Sequence, residues 1–92
     1  MDAAALRKRV TSSLVSEIEN VEYPSVTMMD RVETTLGTRE DLASYVEALV
    51  KKVEGTRFPS VSMLNRLDSL LGRLEQLERQ QAESQRDGGR DD

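Results

Sequence analysis

The sequence predicts an all-α fold of two tandem helix-loop-helix repeats with a 35-residue period, forming a small four-helix bundle with a long C-terminal helix. The first observation behind this is internal. Residues 3–37 align without a gap onto 38–72, with ten of the 35 pairs identical, and Tyr23-Pro24-Ser25-Val26-Thr27-Met28-Met29 recurs as Phe58-Pro59-Ser60-Val61-Ser62-Met63-Leu64. A repeat of this length is usually one supersecondary unit that cannot bury its apolar face alone, so the two copies are expected to pack on each other. The second observation is a spacing of three and four between apolar residues, the signature of amphipathic helices. The third is composition: with only three aromatics among 92 residues, the core must come from Leu, Val, Ile, Met and Ala, which suits helices packed side by side.

The first helix is expected over about Ala3 to Asn20, where Leu6, Val10, Leu14, Ile18 and Val21 form one stripe widened by Val15. It must stop before Pro24, which pushes Tyr23 toward extended geometry. Ser25 is placed to cap a second helix that runs to Leu36 and buries Val26, Met29, Val32 and Leu36, with Met28 flanking. Gly37 can close that helix in the left-handed conformation, and Thr38 can cap the next at once, with Asp41 completing a weak capping box. The third helix, about Arg39 to Glu54, presents Leu42, Tyr45, Val46, Leu49, Val50 and Val53 and stops at Gly55. Phe58-Pro59-Ser60 then opens a fourth helix at Val61.

After Gly72 the two copies diverge, because Arg73-Leu74-Glu75-Gln76-Leu77-Glu78-Arg79 contains no cap residue. The last helix should therefore continue through Gly72, at about 1 kcal/mol relative to alanine, and end near Gln81. Residues 1–82 make a single helical domain: repeat one at 3–37, repeat two at 38–72 and a C-terminal extension at 73–82. The remainder, 83–92, has four acids, two bases and no apolar residue, and reads as a disordered acidic tail. The expected core is Leu14, Ile18, Met29, Val32, Leu36, Leu49, Val50, Val53, Leu64, Leu67 and Leu71.

The absence of Cys and His removes disulfides, thiolate or imidazole metal sites, and thiol or imidazole catalysis. No apolar run approaches the roughly 20 residues needed to cross a bilayer, and the amino end lacks a signal-like apolar segment, so cytoplasmic residence is expected. A formal charge of -4 does not suit a general polyanion binder. The 35-residue period is shared with tetratricopeptide and pentatricopeptide repeats, but their characteristic Trp, Gly, Tyr and Ala positions are not recognisable.

Three functional readings follow. The first is a small non-enzymatic protein-protein interaction or assembly module that takes no cofactor and no metal. In this reading Leu70, Leu74 and Leu77 belong to the a and d seam of the last helix, and Leu74 and Leu77, reaching beyond the bundle without an intramolecular partner, make a homodimer through that helix. A way to satisfy these leucines within the monomer is for the helix to fold back onto Leu6 and Val10. The duplicated loops, marked by Tyr23 and Phe58, together with the equivalent Arg31 and Arg66, would be recognition positions. Glu19 and Glu54 could each pair with an Arg of its hairpin. The second reading is a regulatory nucleic-acid binder using Arg7, Lys8, Arg9, Lys51 and Lys52, although the candidate recognition helices offer a single Arg each. The third, an enzyme, would need a cleft where Glu17 or Glu22 converges on Tyr23 or Lys52. No catalytic residue is assigned.

Overall fold

The computed structural model describes the backbone of residues 2–90 and the side chains of residues 2–83. The described chain is all helical: α1 (Ala3–Asn20), α2 (Val26–Thr35), α3 (Arg39–Glu54) and α4 (Val61–Arg90). Each helix starts on a side-chain oxygen that takes an otherwise unsatisfied backbone N-H. Asp2 Oδ1 accepts from Ala5 N at 2.7 Å, Ser25 Oγ from Met28 N at 3.1 Å, Thr38 Oγ1 from Asp41 N at 3.1 Å, and Ser60 Oγ from Met63 N at 3.0 Å.

The closure of α2 differs from expectation. No glycine among the described residues has a positive φ. Leu36 ends the helix in extended geometry (φ -74, ψ 108), because leaving the helix there turns its side chain into the core, where it is buried. Gly37 thus has no left-handed duty.

Helix α1 packs on α2 and on α3, and α3 packs on α4. The Lys52 ammonium donates to the Glu19 carbonyl, which sets the C-terminal ends of α1 and α3 side by side. Arg39 at the start of α3 pairs with Glu78 of α4, so these two helices run antiparallel. The shortest dimension, 18 Å, is that of two helix layers.

The core comprises Ile18, Met29, Val32, Leu36, Leu42, Tyr45, Val46, Leu49, Leu67 and Leu70, with Thr11 buried beside it and donating to the Thr35 carbonyl. Leu14, Val50 and Val53, expected inside, are half-buried. Leu64 and Leu71 are a correction: they are 42% and 40% exposed. Seven residues apart, they share one stripe of α4 that borders the face by which Leu67 and Leu70 enter the core.

Leu74 and Leu77 are a second correction. Both are half-buried against the core, because α3 still runs alongside α4 as far as the Arg39–Glu78 pair. They therefore have intramolecular neighbours, and Leu6 and Val10 remain exposed rather than covering them. Helix α4 passes through Gly72 as anticipated, and a Cβ at that position would meet nothing within 4 Å. Its backbone does not stop near Gln81 but continues helical to Arg90, through a stretch without proline although Gly88 and Gly89 are poor helix formers. Of the tail expected at 83–92, the side chains of residues 84–90 and the whole of Asp91 and Asp92 lie outside the described residues.

Candidate interaction site

The two aromatic-Pro-Ser loops come together at one end of the molecule. Each loop is held by a proline that ends one helix and a serine that caps the next, which leaves the aromatic ring outside: Tyr23 is 71% and Phe58 83% exposed. The Arg57 guanidinium lies 5.7 Å from the centroid of the Phe58 ring, within cation-π range. Between the loops lies a mostly apolar pocket of about 140 Å³, floored by Val53 and Met63 and rimmed by Glu22, Tyr23, Lys52 and Phe58. Glu22, Tyr23 and Lys52, named for the catalytic reading, do meet at this rim, whereas Glu17 does not line it. Its volume is below the roughly 300 Å³ at which small-molecule pockets begin, and the Lys52 ammonium is already bonded to the Glu19 carbonyl.

Arg31 and Arg66 hold equivalent sequence positions but have unlike surroundings. Arg66 reaches across from α4 to α2, with Nη2 3.0 Å from Asp30 Oδ1 and Nη1 at 2.5 Å from Glu33 Oε2. The pairing with Glu54 that the sequence allowed is not formed, since the Arg66 guanidinium is taken by Asp30 and Glu33 of α2. Glu33 also accepts from the buried Tyr45 hydroxyl at 2.7 Å, so one carboxylate joins α2, α3 and α4. Burial, then the Glu33 carboxylate, pushes the Tyr45 phenol well above its ordinary pKa. Desolvation pulls the Arg66 guanidinium down, but Glu33 and Asp30 outweigh it and raise its pKa. Arg31, by contrast, is exposed and forms no ion pair among the described residues. Sequence reading missed this network. The available signal was a tyrosine on the apolar stripe of α3, whose buried hydroxyl needs a partner.

The basic residues do not gather. Arg7, Lys8 and Arg9 lie in the first half of α1, whereas Lys51 and Lys52 lie at the end of α3, beside the end of α1. About 15 Å of helix separates the two groups. Lys51 also pairs with Glu47 at 3.3 Å.

Of the seam residues, Leu70 is in the core and Leu74 and Leu77 lean on it, so the large apolar side chains left exposed on α4 are Val61, Leu64 and Leu71. Among the described residues there is no cluster of three or more acidic side chains placed to hold a metal ion, and no helix long and apolar enough to cross a membrane. No protein-family model, no curated protein and no solved structure matches this chain.

Proposed function

We propose that the chain is a small non-enzymatic interaction or assembly module built from two stacked helical hairpins, which self-associates through the outward side of its last helix and acts in the cytoplasm. One observation carries this reading. Met29 and Leu36 are buried, while their equivalents 35 residues on, Leu64 and Leu71, are exposed. In a stack, the second hairpin covers the first, and nothing within the chain covers the second. Val61, one turn before Leu64, extends the same apolar surface toward the loop end, and adjoining exposed apolar side chains of this kind mark contact sites. Leu74 and Leu77, half-buried, border it.

Sedimentation velocity over micromolar to millimolar concentration tests the proposal. The expected result is a sedimentation coefficient that rises with concentration for the natural chain and stays at the monomer value for Leu64→Asp. A natural chain that remains monomeric throughout contradicts self-association. The competing nucleic-acid reading needs a continuous basic surface, and the separation of its five basic residues gives it less support.

A further inference from the structure

The chain carries within itself the geometry by which a second copy would dock. Resting on the self-association reading above, we infer that copies assemble head to tail, with α1 and α2 of one chain seated on α3 and α4 of the next as α3 and α4 are seated on α1 and α2.

Besides the packing of α3 along α1, the internal junction between the hairpins has three parts. Tyr45 of α3 packs over Met29 of α2, its hydroxyl 3.5 Å from the Met29 carbonyl. Arg66 of α4 binds Asp30 and Glu33 of α2. The stripe of α3 made by Asp41, Tyr45, Ala48 and Lys52 is withdrawn from solvent, with Tyr45 and Ala48 fully buried. Shifting each member by 35 residues gives the surfaces that a further junction would use.

On the receiving side, Met29 becomes Leu64, Asp30 becomes Asn65 and Glu33 becomes Asp68. On the docking side, Tyr45 becomes Val10, Ala48 becomes Ser13 and Arg66 becomes Arg31. All six of these shifted residues are exposed, and Val10 is 54% so. Part of the chemistry is retained: an apolar side chain meets an apolar one, a small residue holds the place of Ala48, and the Arg31 guanidinium meets the Asp68 carboxylate, whereas Val10 lacks the Tyr45 hydroxyl and Asn65 the Asp30 carboxylate. Leu6 falls on the same docking stripe of α1, and Leu71 stands where Leu36 is buried.

The two surfaces differ and lie on opposite ends of the stack, so the contact is heterologous. Such contacts propagate unless the rotation closes a ring. This separates the inference from a two-fold dimer of α4 against α4, in which one surface serves both partners.

The test uses two full-length variants, Val10→Asp, which blocks the docking face, and Leu64→Asp, which blocks the receiving face. Each alone is expected to stay monomeric by sedimentation velocity. Mixed in equal amounts they should form a one-to-one dimer that grows no further, because each supplies the face the other lacks. Both positions are exposed, and circular dichroism melts confirm folding. As an independent arm, Arg31→Asp is expected to weaken assembly by about tenfold, and Asp68→Arg in the same chain to restore it. If the natural chain assembles but Val10→Asp alone assembles equally well, or the mixture stays monomeric, the head-to-tail geometry is overturned while self-association stands. If the natural chain never assembles, both fall.

Discussion

Replacing Tyr45 with alanine is expected to lower folding stability by about 3 to 5 kcal/mol, the range for removing a large buried ring and leaving a partly collapsed cavity. A domain of this size has roughly 5 to 15 kcal/mol in total, so the variant should be partly unfolded on warming. Tyr45 is fully buried at the junction of the two hairpins. Tyr45→Phe keeps the ring and loses the hydroxyl's bond to Glu33 and its long contact with the Met29 carbonyl, for about 1 kcal/mol. The two substitutions thus separate packing from polar contact, and urea denaturation measures both.

The same residue sets an alkaline limit. Its folded-state pKa lies above the unfolded value of 10.0, so the folded chain holds that proton more tightly. The associated stability is complete below about pH 10 and is lost as the pH rises above it. The natural chain should therefore weaken above pH 10 more steeply than Tyr45→Phe, the difference isolating this group from the other tyrosine and the lysines.

Arg66→Ala is expected to cost about 1 to 3 kcal/mol, because it leaves the half-buried Glu33 without its cation and opens the α2–α4 junction. Its equivalent, Arg31→Ala, should shift monomer stability by no more than about 0.5 kcal/mol, as for other surface changes. Thermal melts at low protein concentration check the pair. Equal losses would show that the two arginines share surroundings and would remove the asymmetry on which the assembly reading rests.

Local signals settled helix placement. The prolines, the capping serines and Thr38 act on their immediate neighbours, and α1, α3 and the start of α4 fall where those residues put them. What the sequence could not show was which copy is covered. Met29 and Leu64 hold the same local register, yet one is buried and the other exposed, so the two copies do not sit in the like surroundings that the repeat leads one to expect. The Leu74 and Leu77 seam was misjudged for a related reason: periodicity reveals that a stripe exists, but the reach of α3 along α4 decides whether it is used internally. The Arg66 network was hidden because its members come from three helices.

The central claim is that the outward side of α4 is a contact surface, and methyl NMR on a dilution series addresses it most directly. Between micromolar and millimolar concentration, the methyl signals of Leu64 and Leu71 should move together while those of the buried Leu49 and Ile18 stay in place. Signals from Leu64 and Leu71 that remain fixed over the whole series would contradict the account.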